Sequence, residues 1–137
     1  MQTITTEAQG IVRELIERGI NQNDSSVVDE LVHPEYRYLT PTESFEGPEQ
    51  LKALFAGYRK AFPDLKIEID YQFAEGDQVC TRLTLNGTHL GSFKGVAATG
   101  RRMQVQGVVI SRVAGARITE EWELIDELAL MGQLGLI

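Results

Sequence analysis

The sequence predicts an α+β fold in which helices come first and pack on one face of a curved antiparallel sheet. Three observations carry this. Through most of the first 62 residues the apolar side chains recur at spacings of three and four, the period of an amphipathic helix. From residue 65 the period falls to two, the signature of half-buried strands. No repeat, linker or shift of composition interrupts the 137 residues, so residues 1–137 read as a single domain.

The elements follow in order. Ile11, Val12, Leu15, Ile16 and Ile20 form one apolar stripe, with Thr5 or Thr6 as the cap and Glu7 in the first turn, where the helix dipole favours an acid. Asn21 to Asp24 break that pattern. A second, short helix holds Val27, Val28, Leu31 and Val32, capped by Asp24 or Ser25, and His33-Pro34 ends it because the residue before proline is pushed out of helical angles. Tyr36 to Leu39 reads as a short strand. Pro41 to Pro48 reads as a loop with a brief strand at Ser44-Phe45. Gly47-Pro48 opens a third helix with proline in its first turn. Leu51, Leu54, Phe55, Tyr58 and Phe62 are its buried face, and Pro63 ends it. Leu65, Ile67, Ile69 and Tyr71 then alternate with charged residues, and Glu75-Gly76-Asp77 is a turn. Val79–His89, Met103–Val113 and Arg117–Ile125 are the remaining strands, and Leu128–Leu134 closes the chain as a short helix or coil.

Composition excludes several classes of function. A chain of this length buries roughly 68–70% of its unfolded surface, enough to dispense with a metal or disulfide staple. Twenty acids against thirteen bases leave a net charge of −7, which argues against nucleic acid, and Arg101-Arg102 is too short for a basic patch. No run approaches the ~18 apolar residues of a membrane span, and Met1–Thr6 lacks the basic-then-apolar pattern of a secretory signal. A cytoplasmic protein is therefore expected. The single cysteine, Cys80, reads as an inert structural thiol. Two histidines without a nearby acid pair at ligand spacing predict no metal site. Gly91, Gly95 and Gly100 match no phosphate or dinucleotide loop, and no G-x-S-x-G elbow is present.

The last strand is where chemistry is expected. Unbroken alternation puts Ile118, Glu120, Trp122, Leu124 and Asp126 on the apolar face, and Arg117, Thr119, Glu121, Glu123 and Ile125 on the other. An acid on an apolar face has a raised pKa unless compensated, which suits a general acid or base. Asp126 reads either as that acid or as the cap of the terminal helix, and the two roles are compatible. Glu120 is read as a salt-bridged structural acid or as part of a pocket wall. Val79, Thr81, Leu83, Leu85, Gly87 and His89 share a face, so His89 falls at the cavity mouth or at a strand end in solvent. Arg82 falls on the opposite face. The register of strand 103–113 stays open: one choice turns Ser111 inward, the other Arg112, and a slip of one residue exchanges them. The aromatics Tyr36, Tyr38, Phe55, Tyr58, Phe62 and Trp122 read mostly as core, with a few available to line a pocket for a flat hydrophobic ligand.

Several runs carry a resemblance: Ala61-Phe62-Pro63-Asp64-Leu65, Ala74-Glu75-Gly76-Asp77, Gly87-Thr88-His89-Leu90-Gly91-Ser92-Phe93-Lys94-Gly95, Thr99-Gly100-Arg101-Arg102, and Glu120-Glu121-Trp122-Glu123-Leu124-Ile125-Asp126 with Gln133-Leu134-Gly135. In this order they resemble the SnoaL-like polyketide cyclases over nearly the whole chain. The resemblance implies the cone-shaped α+β fold of the nuclear transport factor two and ketosteroid isomerase superfamily, in which a curved sheet wraps the N-terminal helices and leaves a deep pocket. It implies intramolecular aldol closure of a polyketide ester without metal or cofactor. By resemblance Asp126 is the single acid/base. His89, Arg112 and Tyr38 are orienting or electrophilic groups, and Glu120, Trp122 and Phe55 complete the substrate site. The expected partner is a small hydrophobic carbonyl compound, and the expected assembly a homodimer. Family members often carry Asn-His where this chain has Tyr38-Leu39, and a histidine where it has Arg112. Those departures motivate the alternative of a non-catalytic module that binds a small hydrophobic ligand.

Overall fold

The computed structural model describes residues 2–137, with side chains from Glu7 onward. Helix α1 (Gln2–Glu14) runs directly into a π-helical segment, Leu15–Asn21. Because the helix begins at Gln2, Thr5 and Thr6 lie within it, and their side chains lie outside the described residues. The predicted stripe is the buried one: Val12, Leu15 and Ile16 are in the core, with Ile11 and Ile20 packed against it. Helix α2 (Ser26–Leu31) follows, with Ser25 at the N-cap position making no side-chain cap bond, while the Asp24 carboxylate just before it accepts from the Ser26 amide at 3.2 Å.

Strand β1 (Val32–Leu39) starts earlier than predicted, directly at the end of α2, and runs through Pro34. Strand β2 (Ser44–Glu46) and helix α3 (Pro48–Ala61) match the expected brief strand and proline-started helix. Then come β3 (Lys66–Glu75), β4 (Gln78–Thr88), β5 (Arg102–Ala114), β6 (Arg117–Ile125) and helix α4 (Glu127–Gln133). The six strands form one sheet in the order β2-β1-β6-β5-β4-β3. It is antiparallel except where β1 runs parallel to β6. Among the described residues no helix is long and apolar enough to cross a membrane.

Two bulges decide which side chains face the helices. In β3 the register slips between Ile69 and Tyr71, so Ile67 and Ile69 face inward while Tyr71 and Phe73 are exposed. In β6 two steps, from Ile118 to Glu120, oppose the single step from Val113 to Arg112 on β5. The extra residue, Thr119, flips the rest of the strand. Ile118 is fully buried, but from there Glu121, Glu123 and Ile125 turn inward and Trp122 and Leu124 turn out. The expectation that Glu120, Trp122 and Asp126 face the helices is thus reversed, and the cause is one inserted residue.

On β5 the open register resolves to Val105, Val109 and Ser111 inward and Arg112 outward. Strand β4 keeps the predicted face, with Val79, Thr81, Leu83 and Leu85 buried. The helical layer is tied to the sheet by polar side chains. Asn21 donates to the Ile67 carbonyl at 2.8 Å and accepts from its amide at 2.7 Å, so it pairs with the edge strand like a further strand residue. Arg59 donates to the carbonyls of Pro63, Leu65 and Ile20, clamping the end of α3 against the π-helical segment.

Candidate functional site

Between these helices and the inner sheet face lies a small inner cavity of about 60 Å³, followed by two outer basins of about 270 Å³ each. Leu15, Ile16 and Ile20 of the π-helical segment, Leu54 and Phe55 of α3, and Leu83 and Val109 of the sheet make the inner wall apolar. Its ionisable groups are Glu121, Glu123, Tyr38 and Tyr58. Tyr38, Tyr58, Glu123 and Ile125 also line the first outer basin, and Tyr58 and Ile125 line the second. The three spaces therefore meet at Tyr58 and Ile125.

The carboxylates are held by a ladder between neighbouring strands. Side chains two apart share a face, so Tyr36 and Tyr38 of β1 stand beside Glu121 and Glu123 of β6. The Tyr36 hydroxyl donates to Glu121 at 2.9 Å and the Tyr38 hydroxyl donates to Glu123 at 2.7 Å. Ser111 of β5 donates to the other oxygen of Glu121 at 2.5 Å. Glu121 thus has both oxygens occupied in the core. Glu123 has one oxygen bound and the other without a protein partner among the described residues. Phe45 of β2 stacks on Tyr38, with ring centroids 4.5 Å apart, and fixes that ring.

Burial sets the protonation of this pair. Desolvation pushes the Glu121 carboxyl above its ordinary value, against the opposing hydrogen bonds from Ser111 and Tyr36. Desolvation likewise pushes Glu123 up, to about 7; the Tyr38 hydrogen bond and the Lys94 charge pull it down, and the Glu121 charge pushes it up. Tyr36, Tyr38 and Tyr58 are all driven above the usual phenol range, first by burial and then by nearby carboxylates, so they stay hydrogen-bond donors. An acid near 7 in an apolar cavity, with one oxygen unbound, can take or give a proton at neutral pH.

The residues singled out in the sequence are dispersed. Tyr38 and Phe55 line the inner cavity. Asp126 is exposed, and its carboxylate accepts from the Ala129 amide at 3.0 Å as the cap of α4. Glu120 lies half-exposed, 3.9 Å from Arg37. Trp122 points outward and is 37% exposed. Arg112 is on the outer face, 3.1 Å from Asp77. His89 is fully buried beside Phe62, with Nδ1 2.9 Å from the Thr99 hydroxyl, and lies outside the cavity lining. Cys80 sits on the side of β4 away from the buried row, its thiol pushed up by burial. Among the described residues no three His, Cys, Asp or Glu side chains gather as a metal site.

Glu121 and Glu123 are the acids that unbroken alternation puts on the wrong face. One signal was available. Ile118 and Ile125 are seven apart, an odd number, so both can face one side only if the strand carries a bulge.

Residues 10–134 match the SnoaL-like polyketide cyclases. The chain belongs to this family. It is similar to the aklanonic acid methyl ester cyclase DnrD of Streptomyces peucetius, with 30% identity over 130 residues, 91% of this chain and 88% of the relative. The aklanonic acid methyl ester cyclase DauD of Streptomyces sp. strain C5 is 28% identical over 132 residues, 91% of this chain and 80% of that relative. Among solved structures, a SnoaL-like protein of Jannaschia sp. CCS1 superposes with a TM-score of 0.90 at 28% identity, covering 98% of this chain and 95% of that one. TsrD of Streptomyces laurentii superposes with a TM-score of 0.87 at 28% identity, covering 96% and 97%. This SnoaL-like chain has the family's α+β fold, with the curved sheet wrapped on the helices.

Proposed function

We propose that this SnoaL-like protein is a cyclase that closes a ring in a hydrophobic polyketide-like ester by intramolecular aldol chemistry, with Glu123 as the acid/base. The observation that carries this is the Glu123 carboxyl, brought to about 7 by burial, with one oxygen free in an apolar cavity. Relatives named as aklanonic acid methyl ester cyclases support the reaction class. The acid/base role that resemblance put on Asp126 is better suited to Glu123, because Asp126 is exposed and engaged in capping α4.

The step needs one carboxylate. Ionised Glu123 takes the proton from a carbon flanked by carbonyls, and the C–H electrons pass into an enolate. The enolate carbon attacks a ketone carbon of the same substrate and forms the new C–C bond. The resulting alkoxide takes the proton back from Glu123. Atoms and charge balance within substrate and Glu123. The apolar wall excludes water and holds the two reacting carbons together, which is where most of the acceleration of such a reaction arises.

The test compares Glu123→Gln and Asp126→Asn with the unaltered protein on aromatic polyketide methyl esters. Loss of a general acid/base costs about 10²–10⁴-fold, so Glu123→Gln is expected to lose at least about a hundredfold in kcat. Asp126→Asn is expected to keep activity within a few-fold. Full turnover by Glu123→Gln, or loss confined to Asp126→Asn, overturns the assignment.

A second reading, a module that binds a small hydrophobic ligand without chemistry, rests on Tyr38-Leu39 standing where family members often carry Asn-His, and on Arg112, where they carry a histidine, facing away from the cavity. Tight ester binding with no turnover would establish it. We also propose that the protein forms a homodimer through the outer sheet face, where Tyr71, Phe73, Ile110, Trp122 and Leu124 are exposed.

A further inference from the structure

The mouth of the cavity is overhung by a two-residue turn with Lys94 at its tip. Phe93 and Val96 exchange backbone hydrogen bonds at 2.9 and 2.8 Å, and between them Lys94 has φ of 47° and Gly95 φ of 81°. Two successive left-handed residues make a turn that favours Asn-Gly. Lysine is a poor residue for that backbone, and local strain of this kind gathers at functional sites. The turn is held firmly: the Phe93 ring lies 5.3 Å from Tyr58 and 5.4 Å from Phe62, and the amides of Leu90 and Gly91 both donate to the Ala61 carbonyl.

Lys94 lines both outer basins. Among the described residues lining the three spaces it is the one cation; the other charged groups are Glu43, Glu121, Glu123 and Glu127. Its ammonium group lies 3.6 Å from Glu127 and 5.5 Å from the centre of the Phe93 ring. That ion pair is solvent-exposed on both sides, and such pairs exchange readily for another oxygen. Tyr58, in contact with this turn, lines all three spaces, and its hydroxyl has no hydrogen-bond partner among the described residues. The site thus holds a base on one wall and two donors at the mouth: among the described residues, Tyr58 is without a partner and Lys94 is held only by an exposed ion pair.

We propose that Lys94, with Tyr58 beside it, is the electrophilic half of the site: it binds a carbonyl oxygen of a 1,3-dicarbonyl substrate and stabilises the enolate that forms when Glu123 takes the intervening proton. This rests on the reading of Glu123 as the base. As the C–H bond breaks, its electron pair becomes the enolate double bond and the carbonyl π electrons move onto oxygen. Lys94 and Tyr58 donate hydrogen bonds to that oxygen and give up no proton. The negative charge leaves Glu123 and appears opposite Lys94, and a donor placed where charge develops favours the transition state over the bound substrate. The substrate class is accordingly a β-keto ester with its dicarbonyl end at the mouth.

A phenolate mimics the enolate oxygen and needs no turnover. The absorbance of bound 4-nitrophenol is titrated in the Glu123→Gln background, where the neighbouring carboxylate cannot titrate. Lys94→Asn is added to remove the cation while suiting the turn, and Lys94→Arg to restore it. With Lys94 present the bound phenol is expected to ionise about one pH unit, a tenfold change, below its value in solution. Lys94→Asn is expected to abolish that shift and Lys94→Arg to recover most of it. In the protein with Glu123 intact, Lys94→Asn is expected to lower kcat on a β-keto ester about tenfold or more. An unchanged phenol titration in Lys94→Asn overturns the inference even if Glu123-dependent cyclisation stands. A Lys94-dependent shift without any cyclisation retains the oxyanion subsite and sinks the cyclase reading instead.

Discussion

Glu121 and Glu123 show how a buried acid is tolerated. Each carboxyl is desolvated, yet each accepts at least one short hydrogen bond from a hydroxyl whose own pKa is raised, so the hydroxyl remains a donor. A buried polar group is costly only when unpaired. The raised carboxyls have a consequence for stability. A folded-state pKa above the unfolded value means that the native protein binds more protons, so the stabilisation is complete below the unfolded value and is lost as pH rises through the folded one. For Glu123 that window runs from about 4.5 to about 7. Urea unfolding of the unaltered protein is therefore expected to lose stability across this window relative to Glu123→Gln, by of order 3 kcal/mol. Parallel pH profiles for the two proteins would refute a raised Glu123.

At the scale of elements, two bulges and one turn do the positioning. The bulge at Thr119 places Glu121 and Glu123 on the cavity side and sends Trp122 and Leu124 outside. The helices, their apolar stripes and the strand spans were legible because period 3.6 and period 2 are local properties of the chain. The face of β6 was not, because one inserted residue inverts everything after it and leaves no local mark beyond the odd spacing of Ile118 and Ile125. The turn carrying Lys94 depends on a close approach at Gly91, where a Cβ would stand 2.2 Å from the Lys60 carbonyl oxygen, a backbone atom. Gly91→Ala is therefore expected to break the contact with Ala61 and to cost about 1–3 kcal/mol, the range for overpacking. Urea unfolding reads the loss, and a neutral result would show that this segment is free to move away from α3.

Over the whole molecule, the inner sheet face is covered by helices and the outer face is not. Tyr71 is 60% exposed, Phe73 55% and Leu124 50%. Together with Val108, Ile110 and Trp122 they put apolar side chains on the outer side of β3, β5 and β6. Across β4, Cys80 joins Phe73 to Ile110 while exposed Arg82 stands between Tyr71 and Val108, and exposed apolar groups of this kind mark contact surfaces. Sedimentation is expected to show a dimer at micromolar concentration, and Phe73→Glu with Trp122→Glu is expected to yield a monomer with an unchanged fold. A monomeric unaltered protein would rule out a stable dimer through this face.

The sequence by itself determined the class of fold, the order of its elements, and through its motifs the family. All of these follow from composition, from local periodicity, or from runs that stay recognisable wherever the side chains point. Only the tertiary structure decided which acid enters the cavity. It turned Ser111 inward and Arg112 outward, assigned Asp126 to the cap of α4, buried His89 beside Phe62, and brought Tyr38 of β1 to within 2.7 Å of Glu123 of β6. The physical reason is that the facing of a strand depends on its pairing with a neighbour, and a single bulge in that pairing exchanges the two faces.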